Sequence, residues 1–196
     1  MDHRLYLIRH GQTEWSVNGR HTGRTDIPLT PTGEEQARAT GKTLEKLRDG
    51  PVTAPARVLA SPRRRALATA ELAGLAVDEV TEELAEWDYG DYEGITTEEI
   101  RETVPGWTIW SHPAPGGESA EQVAARADRL LAGVRETLAD RDVILVGHGH
   151  FSRVLVTRWL GLPAVYGVHF GLDPAGATEL GDERGTPQIK HLNVPS

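Results

Sequence analysis

Short apolar runs alternate with stretches that carry helical caps and helical periodicity, and this alternation limits the folds open to the chain. Arg4–Ile8 (RLYLI), Ala56–Ala60 (ARVLA) and the β-branched Asp142–Gly147 (DVILVG) read as buried strands, with Leu75–Val80 as a further candidate. Thr30 is placed to cap a helix that begins at Pro31 and runs to Leu47, and Ser61 to cap one that begins at Pro62 and stops at Gly74. Thr96–Val104 reads as a short helix. Val123, Ala127, Leu130, Leu131, Val134 and Leu138 recur at helical spacing, which predicts an amphipathic helix over Glu118–Ala139. His150–Gly161 reads as a helix directly after the DVILVG strand, and Ala177–Leu180 and Gln188–Leu192 are weaker strand candidates. Strand-helix alternation of this kind predicts an α/β fold with a largely parallel sheet. At 196 residues one domain over 1–196 is expected, with Ser111–Ser119 (SHPAPGGES) as a loop over the sheet rather than a linker.

Composition narrows the chemistry. Cysteine is absent, which excludes disulfides, thiolate nucleophiles and cysteine-ligated zinc. Formal net charge is −8, unsuited to nonspecific nucleic-acid binding. No apolar run is long enough for a membrane span, and Met1–Gly11 lacks the pattern of a signal peptide, so a cytoplasmic location and no membrane partner are expected. Lysine occurs only at 42, 46 and 190, so positive charge is mostly arginine, densest at Arg63-Arg64-Arg65. The guanidinium fork suits phosphate and carboxylate oxyanions.

In open α/β sheets, ligands sit at the carboxyl ends of the strands. Three conspicuous segments fall there: Arg9-His10-Gly11 after the first strand, Ser61 and the arginine triplet after the second, and His148-Gly149-His150 after DVILVG. A pocket built from imidazoles and guanidiniums is matched best by an oxyanion, most plausibly phosphate.

LIRHGQTEW, RRRALATA, LAEWDYGDYEG and VGHGH occur in an order that resembles the histidine phosphatase superfamily, the phosphoglycerate-mutase-like family, and SPRRR, LAEWDYG and GHGHFSR resemble its small acid phosphatases. The resemblance runs from Leu5 to about Leu160, with His191–Asn193 resembling the usual family ending. It implies a three-layer αβα fold and a phosphatase acting on phosphate monoesters. It makes His10 the nucleophile, Arg9, Arg65 and His148 the phosphoryl-binding groups, and Glu86 the acid/base. Thr22, Gly23 and Tyr89 match positions that approach the substrate, as do Gly11, Gln12, Ser16, Gly149 and His150 around the same motifs. Gln12 and Ser16 stand where relatives often carry glutamate and asparagine, which bears on specificity. No metal and no other cofactor is expected, and the implied partners are a small phosphate monoester and a second copy of the chain.

The same residues admit other readings. Asp88 rivals Glu86 as the acid, and the acidic run Glu86–Glu93 could be no more than a surface loop. Arg63 and Arg64 could be a solvated helix face. His148 and His150 lack an evident third metal ligand. Gly147-x-Gly149-x-x-Ser152 mimics a dinucleotide fingerprint but ends in serine, and no P-loop motif occurs. Trp107 and Trp110 precede a Pro/Gly-rich loop and are expected at a pocket rim. Mutases of the family carry paired arginines in an inserted loop, whereas Trp87–Gly147 has no adjacent arginines and no lysine; a non-catalytic phospho-ligand sensor would lack His10 or Glu86, and both are present.

Overall fold

The computed structural model describes residues 3–196. Six strands form one sheet in the order β3-β2-β4-β1-β5-β6, where β1 is Leu5–Arg9, β2 Ala56–Ala60, β3 Glu79–Val80, β4 Asp142–Gly147, β5 Ala177–Glu183 and β6 Thr186–Val194. β3, β2, β4 and β1 run parallel, and β5 and β6 add an antiparallel hairpin beside β1. Six α-helices connect these strands: α1 (Glu14–Val17), α2 (Pro31–Arg48), α3 (Arg64–Leu72), α4 (Thr97–Thr103), α5 (Ala120–Thr137) and α6 (Gly149–Trp159).

The three-layer arrangement follows from the period of two along each strand. In β1, Leu5 and Leu7 pack with one core, which also holds Val143 and Leu145 of β4, Leu131 of α5 and Trp159 of α6. Tyr6 and Ile8 face the opposite core, with Ile144, Val146, Leu44 of α2 and Ala66 of α3. Residues 143–147 of β4 are buried on both faces, which is why DVILVG is apolar throughout rather than alternating. Among the described residues, no helix is long and apolar enough to cross a membrane.

Register places the site. Arg9 pairs with Gly147 and Ala60 with Val146, so three adjacent parallel strands end in line. The ladder continues one step further: His10 N donates to Gly147 O and Ser61 N to Val146 O, both at 2.9 Å. His10, Ser61 and His148 therefore emerge side by side at one edge of the sheet.

Several elements differ from the sequence reading. Ser61 does not cap α3, which begins at Arg64 without a side-chain cap; the Ser61 hydroxyl lies 2.6 Å from His148 Nε2 and accepts the Arg63 N–H at 3.4 Å, ahead of the helix. The strand expected over 75–80 shrinks to two residues, because the Asp78 carboxylate accepts the Val58 N–H at 2.8 Å and so takes the place of a ladder bond. The final strands are longer than the two weak candidates. They close through Arg184-Gly185, both at positive φ (54° and 84°), as a tight right-twisted hairpin requires. Ser111–Ser119, a loop as expected, packs against 88–91: Pro115 O accepts the Asp91 N–H at 2.8 Å.

A close backbone approach fixes the loop after His10. A Cβ on Gly33 would lie 2.1 Å from Gln12 O, and one on Gly11 2.3 Å from Gly33 O. We expect Gly33→Ala to lower stability by about 1–3 kcal/mol through this overlap. Gly133→Ala, in the α5 interior with nothing within 4 Å of the new Cβ, is expected to raise it by up to about 1 kcal/mol. Denaturant midpoints of the two variants check both signs.

Candidate active site

The cavity at this strand edge has a volume of about 410 Å³. Arg9, His10, Ser16, Thr22, Glu86, Tyr89, Gly149 and His150 all line it. Arg65 and His148 lie fully buried behind that lining and next to His10: the His10 and His148 ring centroids are 5.3 Å apart, edge to face.

His10 is oriented by its own loop. Nδ1 lies 2.8 Å from Gly11 O. A carbonyl only accepts, so Nδ1 carries the proton and Nε2 holds the lone pair while the ring is neutral. Burial, and then the guanidiniums of Arg65 and Arg9, push its pKa well below the usual histidine value. The ring is thus a neutral imidazole with a defined nucleophilic nitrogen.

The two guanidiniums beside it are held by backbone carbonyls rather than by carboxylates. Arg9 donates to Leu172 O. Arg65 donates to the carbonyls of Thr25, Thr22 and Gly23 at 2.8–3.1 Å. Those carbonyls are themselves fixed, because Glu93 accepts the N–H groups of Gly23 and Thr25 at 2.9–3.0 Å. Gly23 is required there, since a Cβ would meet Glu93 and Trp87 O at 2.9–3.0 Å. Among the described residues, three buried nitrogens of this cluster have no hydrogen-bond partner: Arg9 Nε, Arg65 Nε and His148 Nδ1. The other His148 nitrogen, Nε2, lies 2.6 Å from Ser61 Oγ. Burial and the nearby cations push the His148 pKa well below the usual value as well. When the Ser61 hydroxyl donates to Nε2, the neutral ring carries its proton on Nδ1, the unpartnered atom.

Glu86 and Asp88 separate cleanly. Glu86 is buried, and its carboxyl oxygens accept three backbone N–H groups: Trp87 and Phe151 on Oε1 at 2.9 and 2.7 Å, and His150 on Oε2 at 3.0 Å. Two of these belong to the first turn of α6, where His148 makes no side-chain cap, so Glu86 fills that role from another segment. Asp88 is absent from the cavity lining; it pairs with Arg24 at 2.6 Å and accepts the Gly90 N–H at 3.1 Å.

The other sequence candidates divide. Gly11 and Gln12 stand outside the lining, since Gly11 N donates to Thr69 Oγ1 and Gln12 Oε1 accepts from Thr30 Oγ1. Gly23 acts through its carbonyl on Arg65. Ser16 lines the cavity while closing a capping box with Thr13. Tyr89 and His150 are linked, with Tyr89 Oη 2.6 Å from His150 Nδ1. Trp110 lines the cavity, but Trp107 is a core residue, 1% exposed, packed edge-on against His21, which corrects the expectation of a rim position. Arg64 presents its backbone N–H to Asp26, and Arg63 pairs with Glu82 at 3.2 Å.

Sequence reasoning missed Arg126. It forms a two-point pair with Glu118 at 2.9 and 2.7 Å, stacks over the Phe151 ring, and donates to the carbonyls of Glu83 and Ala85 at 3.0 and 2.8 Å, which fixes the segment carrying Glu86. Nothing marks it in the sequence beyond being a polar position among the apolar ones of α5. Among the described residues, no group of three or more His, Asp and Glu side chains is placed to share a cation.

A model of the histidine phosphatase superfamily (branch 1) matches residues 5–195. An acid phosphatase of Mycobacterium tuberculosis (strain ATCC 25618 / H37Rv) is 50% identical over 194 residues, 98% of this chain and 93% of that protein. A solved structure of an open reading frame product from Mycobacterium tuberculosis superposes with a TM-score of 0.94 at 49% identity, covering 100% of this chain and 99% of that one. A mycobacterial glucosyl-3-phosphoglycerate phosphatase in complex with VO3 superposes with a TM-score of 0.83 at 32% identity, covering 98% and 99%.

The buried imidazoles make stability depend on pH. His10, His148 and His150 are held well below the ordinary histidine pKa, and burial takes His21 down to about 4. In the unfolded chain these rings titrate near about 6.5. Below that pH the unfolded state binds more protons than the folded one, so stability is full above it and falls as the pH drops. Each ring contributes up to about 1.4 kcal/mol per pH unit until it titrates in the folded state. Chemical denaturation at pH 7.5 and 5.5 is expected to show a marked loss at the lower value; equal midpoints would contradict the neutral, buried assignment.

Proposed function

The chain belongs to branch 1 of the histidine phosphatase superfamily, and from that premise we propose that it is a phosphatase that hydrolyses phosphate monoesters through a phosphohistidine on His10, with Glu86 as acid and base. The observation that carries this reading is the set of unpartnered buried nitrogens on Arg9, Arg65 and His148 around a neutral imidazole whose Nε2 holds a lone pair. Buried donors without partners are costly, and an anion bound among them would satisfy all three.

In the first step His10 Nε2 attacks phosphorus in line, a P–N bond forms and the ester P–O bond breaks. The departing oxygen takes its proton from Glu86. In the second step Glu86, now a carboxylate, takes a proton from water, whose oxygen attacks phosphorus. The P–N bond breaks, inorganic phosphate leaves and His10 returns to the neutral state. Arg9 and Arg65 stabilise the charge on the equatorial oxygens, joined by His148 Nδ1–H, and this fixed positive charge supplies what a metal ion would. The depressed His10 pKa keeps the nucleophile unprotonated in mildly acidic solution, which suits an acid phosphatase.

The test uses p-nitrophenyl phosphate in excess EDTA. Turnover is expected to persist there, and acid-quenched enzyme is expected to carry phosphate on His10. Loss of turnover restored by magnesium or zinc, an active His10→Ala variant, or label on another residue would each refute the mechanism.

Leaving-group chemistry tests Glu86 separately. A sugar alkoxide needs a proton in the transition state, whereas nitrophenolate scarcely does. Glu86→Gln is therefore expected to slow single-turnover phosphohistidine formation from a sugar phosphate by a factor on the order of 10²–10⁴, and from p-nitrophenyl phosphate far less. Asp88→Asn is expected to affect both substrates mildly and alike. The reverse pattern would exchange the two roles.

A further inference from the structure

The residues of the cavity leave His191–Asn193, near the end of β6, without a role. Ala177 pairs with Val194 and Glu179 with His191, so Leu192 and Asn193 together oppose the single residue Thr178. This is a β-bulge, and Asn193 takes the left-handed conformation in it, at φ 51°. Bulges beside functional sites re-aim side chains. The Asn193 N–H goes to Thr178 Oγ1 at 3.1 Å, and the side chain leaves the strand for the turn that precedes β5. There Oδ1 accepts the Asp173 N–H at 2.7 Å and Nδ2 donates to Asp173 Oδ2 at 2.8 Å. The approach is close: a Cβ on Gly176 would lie 2.3 Å from Asn193 Oδ1.

The turn gripped in this way is the one that holds Arg9. Leu172 O accepts from the Arg9 guanidinium, Gly176 O accepts the Arg9 N–H at 3.2 Å, and Ala175 N donates to His10 O at 3.0 Å. Among the described residues, the bond to Leu172 O is the one hydrogen bond made by the Arg9 side chain, so a shift of this turn carries the guanidinium with it. Residues 172–176 do not keep their shape through local preference. Ala175 is fully buried at φ 59°, a conformation that residues with a Cβ seldom adopt and that persists only where the surroundings over-determine it. Thr40 Oγ1 restrains one end, donating to Ala175 O at 3.1 Å. At the other end, among the described residues, Asn193 supplies the one side chain from outside the turn that hydrogen-bonds Asp173.

We propose that Asn193 is a positioning residue for the phosphoryl site. Through Asp173 and the turn 172–176 it sets the Arg9 guanidinium against the oxyanion held at His10, while itself touching neither substrate nor nucleophile. The consequence for turnover rests on the phosphatase reading; the placement of Arg9 does not.

The test is a cycle of four proteins: the wild type, Asn193→Gly, Arg9→Ala and the two together. Glycine accepts the left-handed backbone of the bulge and removes only the two side-chain bonds. The probe is orthovanadate, bound in a calorimeter. Asn193→Gly is expected to raise its Kd about tenfold in the wild-type background and less than about twofold beside Arg9→Ala, because a residue that acts through Arg9 has nothing left to act on. With p-nitrophenyl phosphate, and with sites counted by the phosphohistidine burst, kcat per site is expected to fall by a similar factor and KM to change less. A merely structural role would lower the number of sites per chain and leave both Kd and kcat per site unchanged. A second pair guards against general damage. Asn193→Asp sets two carboxylates face to face and is expected to weaken orthovanadate binding in the same way. Adding Asp173→Asn exchanges donor and acceptor between the two side chains, makes both hydrogen bonds possible again, and is expected to restore the affinity. An unchanged Kd in Asn193→Gly, an equal loss beside Arg9→Ala, no restoration by Asp173→Asn, or no orthovanadate binding to the wild type would each overturn the inference. Absence of wild-type turnover with orthovanadate binding intact would instead overturn the phosphatase reading, and the binding cycle would still decide this one.

Discussion

A fully buried arginine with no carboxylate partner among the described residues is the constraint on which the rest of the site depends. Arg65 is 0% exposed, and its charge is met by three backbone carbonyls, with Nε left unpartnered. Removing an ion from water costs several kcal/mol unless it is compensated. Much of the surrounding chain serves that compensation: Glu93 fixes the loop whose carbonyls hold Arg65, and Gly23 allows the approach. Arg9 repeats the pattern from β1. Burial, and then two cations held in this way, depress the titration of the neighbouring imidazoles, and the cations leave a local excess of positive charge.

The sheet supplies the other half of the arrangement. Because β1, β2 and β4 end in register, residues separated by more than a hundred positions become neighbours. The helix that follows β4 then turns its first N–H groups toward Glu86. That carboxylate is consequently a capping group for α6 as well as a group in the cavity, so its position is tied to the stability of a core helix. Arg126 fixes the same segment from behind.

Much of this was legible in the sequence, for identifiable reasons. Ala56–Ala60 and Asp142–Gly147 are legible with their observed bounds because short apolar runs bounded by turn residues have few other uses. Thr30-Pro31 marked the start of α2 because capping and the first helical turn are local chemistry. The His10, Arg9 and His148 positions followed from strand ends. Long-range decisions were not legible. Ser61 looks like a cap, yet its hydroxyl goes to His148, 87 positions away. Glu86 and Asp88 lie two residues apart in one acidic run; local chemistry does not separate them, the family resemblance favours Glu86, and in the fold their partners differ, Phe151 for Glu86 and Arg24 for Asp88. Arg126 carries no local signal, because its role arises from what the fold sets opposite it.

The central claim is that Arg9, Arg65 and His148 are arranged in advance around a phosphoryl group bonded to His10. Orthovanadate, which takes the five-coordinate geometry of the transferring phosphoryl, tests this directly in a crystal structure of the complex. The account predicts vanadium bonded to His10 Nε2, with its oxygens in hydrogen-bond contact with the Arg9 and Arg65 guanidiniums and with His148 Nδ1, and with Glu86 beside the apical oxygen. Vanadate bound through another atom, or bound at His10 with the three nitrogens still unpartnered, would contradict it.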